Sequence, residues 1–201
     1  IGSAYRETLG AAIDNPLTPD EWIARTGTLP LVDQPGAGFR YSISTDLLGF
    51  LVARLEGESL GAVLARRVFA PLGMRDTGFH VPAAAMDLLA TSYVRDDAGA
   101  LQVSDPARGG EYAEPPAFPS MLVSTADDYL AFARMLERNG AYPGGRLLAP
   151  GSTARMMTDQ LTAAQKAASP FFPGFWDTKG WGFGGAVVTA ASFPPHPTAA
   201  T

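Results

Sequence analysis

Two consecutive amphipathic helical patterns in the first half of the chain constrain its fold more than any other feature. The first pattern has Ser44 or Thr45 as a candidate N-cap and Gly57 as its stop. The second begins at the N-cap Ser59 and ends at Pro71–Gly73. Together they predict a fold dominated by helix. The apolar positions on the two helical faces are Leu47, Leu48, Leu51, Val52 and Leu55, then Leu60, Val63, Leu64 and Val68.

The remaining signals also favour helix. A capping box at Thr18–Glu21 predicts a helix to about Arg25. The turn Asp96–Gly99 predicts a hairpin between strands over 89–95 and 101–103. Further helices are predicted over 3–13, from Ser124 to a C-cap at Asn139-Gly140, over 152–158 and over 162–168, and one strand over 181–189.

The expected fold class is therefore mainly α with minor β (α+β), as a helical lobe with part of a sheet domain. Residues 1–189 are interpreted as a single region and residues 190–201 as an irregular tail, because that tail is alanine- and proline-rich with no periodicity. A length of 201 residues fits one domain of ordinary size. With 46% hydrophobic residues, the chain has enough apolar surface for a core.

Charge and composition exclude several functional classes. The net charge is −5, from 15 basic and 20 acidic side chains, which disfavours a nucleic-acid partner. No run approaches 18 apolar residues, so we expect no membrane-spanning helix. The absence of cysteine removes disulfides, thiolate catalysis and cysteine-ligated metal sites, and leaves the redox compartment open.

Metal and cofactor sites lack sequence support. His80 and His196 are far apart, and neither belongs to a ligand pair. Asp96-Asp97 and Asp127-Asp128 lack the spacing of a calcium loop and are better explained as a turn former and a helix-start charge. Gly36-Ala-Gly38 lacks the third glycine of a dinucleotide-binding turn. We therefore expect neither a metal nor a cofactor.

The sequence Gly57-Glu-Ser59-Leu-Gly61 matches the G-x-S-x-G pattern of a lipase nucleophile elbow. An elbow places its serine on a sharp turn between a strand and a helix. The residues before Ser59 have helical periodicity, so the sequence favours a helix N-cap at this position instead.

Tyr41 is the candidate catalytic residue, preceded by Arg40 and by a glycine- and proline-rich loop. A free phenol has a pKa of about 10 and becomes a base only beside cations that favour phenolate. An ordinary core or interface tyrosine is the alternative that the residues alone leave open.

The stretch from Pro35 to Thr77, PGAGFRYSISTDLLGFLVARLEGESLGAVLARRVFAPLGMRDT, resembles the serine β-lactamase and penicillin-recognising superfamily. It looks most similar to the class C-like, family VIII carboxylesterases. In that family a serine opens an S-x-x-K helix and forms an acyl-enzyme, and the lysine and a tyrosine share the acid and base steps. Tyr41 matches the tyrosine. Further matches lie at 122–129, 146–148, 157–161 and 181–184.

Where β-lactamases carry an asparagine, this chain has Ile43, which removes an amide partner for a β-lactam side chain and favours ester hydrolysis. No serine has a lysine three residues later, and Lys179-Gly180 is not the K-T-G closing strand. The resemblance implies that the nucleophile lies outside these residues and that the chain is a middle part of the enzyme, truncated at both ends and inactive by itself.

The expected substrate is a small-molecule ester or amide. Alternatives are a β-lactamase or D-Ala-D-Ala peptidase relative, or a non-catalytic helical module, because only the candidate base is present. Ile43 and Trp181 are candidate substrate-binding residues. Four other aromatic residues are further candidates for a substrate wall or for packing, and apolar faces left uncovered predict self-association. Those four are Phe171, Phe172, Phe175 and Trp176.

Overall fold

The computed structural model describes residues 7–9, 17–41, 43–104, 121–169 and 171–189. The chain divides into two compact units. The first unit comprises Ile1–Pro30 and Ile43–Arg134, and the second comprises Leu31–Ser42 and Met135–Thr201.

Helices outnumber strands among the elements of the described residues. The helices are α1 (Pro19–Thr26), α2 (Ser44–Glu56), α3 (Leu60–Leu64), α4 (Ala70–Leu72), α5 (Ala126–Glu137), α6 (Ser152–Met156), α7 (Ala163–Ala167) and α8 (Phe175–Thr178). A π-helical turn, Ala65–Phe69, joins α3 to α4, and a 3₁₀ helix spans Ala83–Leu88. The strands are β1 (Tyr93–Arg95), β2 (Leu101–Val103), β3 (Ala141–Tyr142), β4 (Gly145–Arg146), β5 (Lys179–Trp181) and β6 (Ala186–Val188).

The described strands form three antiparallel pairs, β1 with β2, β3 with β4 and β5 with β6. The expectation of a mainly α chain with minor β is confirmed. The predicted hairpin around Asp96–Gly99 is also confirmed, since Tyr93 lies opposite Val103. Of the predicted helix over 3–13, residues 7–9 are helical, and the rest lies outside the described residues, as does the predicted tail over 190–201. No helix in the described ranges is both long and apolar enough to cross a lipid bilayer.

The core of the first unit is a cluster of Leu9, Trp22 and Phe50. The rings of Trp22 and Phe50 lie 5.6 Å apart between centroids, which joins α1 to α2. The capping box at Thr18 is confirmed: its side chain accepts a hydrogen bond from the N–H of Glu21, whose carboxylate in turn accepts one from the N–H of Thr18 at 2.8 Å. Ile43 packs partly buried against this cluster.

The N-terminus of α2 differs from the prediction. Neither Ser44 nor Thr45 is the N-cap, because the helix already includes Ser44 and its N-cap is Ile43, without a side-chain cap. The carbonyl of Ile43 accepts from the N–H of Leu47 at 3.2 Å, so the first helical bond forms one residue earlier than residue preference suggests. Gly57 ends the helix with a φ of 71°, as predicted.

The second predicted helix is interrupted by a π-helical turn that no sequence pattern indicates. Ser59 is the predicted N-cap and accepts from the N–H of Ala62 at 3.2 Å. The helix then widens into the π-helical turn before ending at Gly73, whose φ is 72°. The predicted outer limits of this helix are confirmed.

A buried carboxylate fixes the start of α5. Asp128 accepts from the backbone N–H of Asp76 and from the hydroxyl of Thr77, both at 2.8 Å. Helix α5 begins at Ala126, two residues after the predicted Ser124. Asn139 and Gly140 follow the helix with positive φ angles of 53° and 88°, so the predicted helix stop is confirmed.

The prediction of one strand over 181–189 is wrong. The segment contains the last residue of β5, a turn and all of β6, which pair as a hairpin with Trp181 opposite Ala186, and β5 begins earlier, at Lys179. The intervening glycines form the turn, and Gly184 has a φ of 118°, which a residue with a side chain rarely adopts. A continuous strand would have needed extended backbone at this glycine.

Candidate active site

Tyr41 lies at the end of an irregular loop over residues 31–41 of the second unit. Its side chain is exposed, with a relative accessibility of 70%. Its ring centroid lies 5.6 Å from that of Trp181 and 6.0 Å from that of Phe171, in edge-on geometry. The phenol is therefore held on one side by aromatic rings and is open to solvent on another.

Hydrogen bonds fix the loop that carries Tyr41. The N–H of Phe39 donates to the Ser169 hydroxyl at 2.5 Å. Arg40 forms an ion pair with Asp33 at 2.8 Å and donates to the carbonyl of Ala168 at 3.1 Å. These bonds hold the loop against the end of α7, so Phe39 and Arg40, the two residues before Tyr41, are both anchored.

Ser169 is a structural residue of the site that the sequence did not reveal. Its relative accessibility is 1%, and its hydroxyl donates to the carbonyl of Gln165 while accepting from Phe39. Its own carbonyl accepts from the indole N–H of Trp176 at 2.7 Å. Helix α7 is predicted over 162–168, and the structure shows a capping box at Thr162, but no local pattern indicates a partner of Ser169 more than a hundred residues away.

Tyr41 belongs to a ring cluster that combines the aromatic candidates from the sequence with Phe39, which no sequence pattern singled out. The closest pairs of centroids are Phe171 with Phe175 at 4.5 Å and Phe172 with Phe175 at 4.7 Å, and Phe39 lies 4.8 Å from Trp181. Ring pairs in edge-on or tilted geometry stabilise the folded state beyond the contribution of the apolar area that they bury. The ring cluster comprises Phe39, Tyr41, Phe171, Phe172, Phe175, Trp176 and Trp181.

A partly buried ion pair lies beside the cluster. The carboxylate of Asp159 accepts from the ammonium of Lys166, and both side chains are about one-fifth exposed, at 20% and 19%. Desolvation by itself raises the pKa of Asp159, but hydrogen bonds from Lys166 and from the N–H groups of Trp181 and Leu161 outweigh it and hold that pKa below its usual value. Asp159 is therefore ionised at neutral pH.

The other sequence candidates lie elsewhere. Ile43 packs on the hydrophobic cluster of the first unit, so its role in substrate binding stays a prediction. Ser59 caps α3 directly after the helix α2 and is not a strand-to-helix elbow. His196 lies outside the described residues, and within the described part of the chain no three His, Asp or Glu side chains form a group that fits a metal ion.

A family model called Beta-lactamase matches residues 1–193, which is nearly the whole chain. The chain therefore belongs to the beta-lactamase family, and the resemblance drawn from Pro35–Thr77 is confirmed. The predicted proximity to esterases of this superfamily is supported by named esterases among the relatives.

Two curated relatives and one solved structure illustrate the similarity. Protein Rv1367c of Mycobacterium tuberculosis is 43% identical over 174 residues, covering 85% of this chain and 43% of the relative. Esterase EstB of Burkholderia gladioli is 33% identical over 199 residues, covering 88% of this chain and 47% of the relative. The structure of EstCE1, described as a hydrolase with promiscuous acyltransferase activity, superposes with a TM-score of 0.69 at 27% identity, covering 88% of this chain and 48% of that chain. The chain thus spans less than half the length of these relatives.

Proposed function

We propose that these residues form part of an ester-hydrolysing serine enzyme in which Tyr41 is the general base. The observation that carries the proposal is the placement of Tyr41, whose exposed phenol lies at the end of a loop anchored by Ser169 and Arg40. A catalytic base must be accessible to the proton it removes and must hold its position, and this placement satisfies both requirements.

The proposed reaction is acyl transfer to a serine. Tyr41 as phenolate takes the proton of the serine hydroxyl while the serine oxygen forms a bond to the ester carbonyl carbon. The tetrahedral intermediate collapses, the bond to the alcohol oxygen breaks, and the alcohol leaves with the proton from Tyr41. Water then repeats the sequence on the acyl-serine and releases the carboxylic acid.

The proposed base needs a nearby cation and a serine nucleophile, and the S-x-x-K motif that supplies both in the family is absent from these 201 residues. A phenolate is stabilised by a nearby positive charge, which the lysine of S-x-x-K supplies in the family that this chain resembles. No serine of the 201 residues has a lysine three positions later, so the proposal places the nucleophile outside them. Arg40 is already engaged with Asp33.

The test uses the complete product of the gene that carries these residues. We expect a fluorophosphonate probe to label one serine, and p-nitrophenyl butyrate to be hydrolysed. Replacing Tyr41→Phe removes the base and is expected to lower kcat/KM by about 100-fold or more. Tyr129→Phe is the matched control, since Tyr129 is similarly exposed at 65%, and it should stay within twofold of wild type.

The outcome separates the proposal from its alternatives. Hydrolysis of nitrocefin in preference to the ester would favour a β-lactamase, because it would show that Ile43 does not exclude β-lactams. Equal activity of Tyr41→Phe and wild type would remove Tyr41 from the mechanism. If the probe labels no serine and neither substrate is hydrolysed, the alternative of a non-catalytic helical module is supported instead.

A further inference from the structure

The carboxylate of Asp159 is bound to the backbone of strand β5 at Trp181. One carboxylate oxygen accepts from the N–H of Trp181 at 3.0 Å and from the N–H of Leu161 at 3.1 Å. The next residue, Gln160, donates its N–H to the carbonyl of Trp181 at 2.8 Å. Both backbone hydrogen-bonding groups of Trp181 are therefore held by the two residues 159 and 160.

Two glycines allow this close approach. A Cβ at Gly180 would lie 2.1 Å from the carboxyl carbon of Asp159, and a Cβ at Gly182 would lie 1.9 Å from the carbonyl oxygen of Met156. Any side chain at either position would push the segment Met156–Asp159 away from the strand. Within the W-G-F-G pattern, Gly182 is thus explained by the packing of this segment against the strand, and Gly184 by the turn, where its φ is 118°.

The tethered residue is the one whose ring contacts Tyr41. The Trp181 ring lies 5.6 Å from the Tyr41 ring and 4.8 Å from that of Phe39, two residues earlier on the same loop. The ammonium of Lys166 donates to the opposite carboxylate oxygen of Asp159. A displacement of Trp181 would therefore be passed to Tyr41 through direct ring contact.

We propose that Asp159 is a positioning residue for Tyr41, acting through the backbone and ring of Trp181. The inference rests on the proposed role of Tyr41 as general base. Asp159 touches no reacting atom in this scheme. Its contribution is to hold the aromatic surface that orients the phenol towards its proton donor.

The test is a double-mutant cycle in the complete gene product that carries these residues. Asp159→Ala is expected to lower kcat at least tenfold with KM within about twofold of wild type, because the tether to Trp181 is lost. In a Tyr41→Phe background the same change should lower kcat by less than twofold, since there is no base left to position. Asp159→Asn keeps an oxygen acceptor for the two N–H groups and should retain activity within threefold.

Controls make each outcome decisive. Asp177→Ala, another acidic residue of the second unit, should leave kcat unchanged. If Asp159→Ala does not fold, Gly180→Ala displaces the carboxylate sterically and should reproduce the loss of kcat, while Asp159→Asn still tests the requirement for an acceptor. A tenfold loss in folded Asp159→Asn, or an equal loss in both Tyr41 backgrounds, overturns the inference. An unaffected Tyr41→Phe enzyme instead overturns the proposed function.

Discussion

The hydroxyl oxygen of Ser169 lies 2.5 Å from the backbone nitrogen of Phe39, although the two residues are 130 positions apart in the chain. This bond anchors the loop two residues before Tyr41 to the end of α7. Ser169 is nearly inaccessible to solvent, so water cannot readily replace it as a partner.

Replacing Ser169→Ala should destabilise the protein by about 1–3 kcal/mol, because the partly buried N–H of Phe39 would lose its acceptor. Urea unfolding monitored by tryptophan fluorescence measures the free energy of unfolding. Ser44→Ala is the control, since Ser44 is exposed, and it should change that free energy by less than about 0.5 kcal/mol. Equal stability of the two variants would show that the bond contributes nothing to the fold.

Asp159 should make stability depend on pH in the acidic range. Its pKa is lowered in the folded state, so its stabilising contribution is fully present above the ordinary Asp pKa of about 3.9. That contribution is lost as the pH falls below this value, through the lower pKa of the folded protein. Free energies of unfolding measured from pH 6 downwards should fall less steeply in Asp159→Asn than in wild type.

Other carboxylates complicate this measurement in a predictable way. The pKa of Glu56 is also lowered, by hydrogen bonds from Arg67 and Arg66, whose side chains are 57% and 52% exposed, whereas Lys166, the partner of Asp159, is 19% exposed. Salt screens surface pairs more than partly buried ones. The difference between wild type and Asp159→Asn should therefore persist at 0.5 M salt, and its disappearance would contradict a special role for Asp159.

The 201-residue chain by itself should hydrolyse neither p-nitrophenyl esters nor nitrocefin above background. Covalent catalysis needs a nucleophile within hydrogen-bond reach of the base, and the chain has no S-x-x-K serine. Initial rates with purified chain check this. Turnover that vanishes in Tyr41→Phe would show instead that a serine within these residues acts as the nucleophile.

The face of α2 should promote self-association of the chain. Leu48, Leu51 and Leu55 are 60%, 51% and 77% exposed and recur at helical spacing, so they form one apolar stripe. Sedimentation equilibrium should show an apparent mass that increases with protein concentration, and Leu51→Glu should reduce this increase. Leu88→Glu, at a leucine that is 85% exposed outside this helix, is the control. A monomer at all concentrations would contradict the prediction.

Local sequence was sufficient for elements whose partners lie within one turn. The capping box at Thr18, the N-cap at Ser59 and the helix-ending glycines 57 and 73 could be predicted, because each satisfies backbone groups three or four residues away. Residue preference failed at Ser44 and in the strand over 181–189. At Ser44, the helix starts one residue earlier because the carbonyl of Ile43 accepts the first helical hydrogen bond. In 181–189, a turn at the glycines divides the predicted strand.

The sequence by itself determined the helical character, because that depends on local spacing, and one continuous stretch of residues was enough to indicate the family and, through that resemblance, Tyr41 as the candidate base. Only the tertiary structure decided what surrounds that phenol. The ring contacts with Trp181 and Phe171, the anchor at Ser169 and the tether at Asp159 join segments that are distant along the chain. Such contacts depend on how the whole chain packs, and no periodicity or cap encodes them.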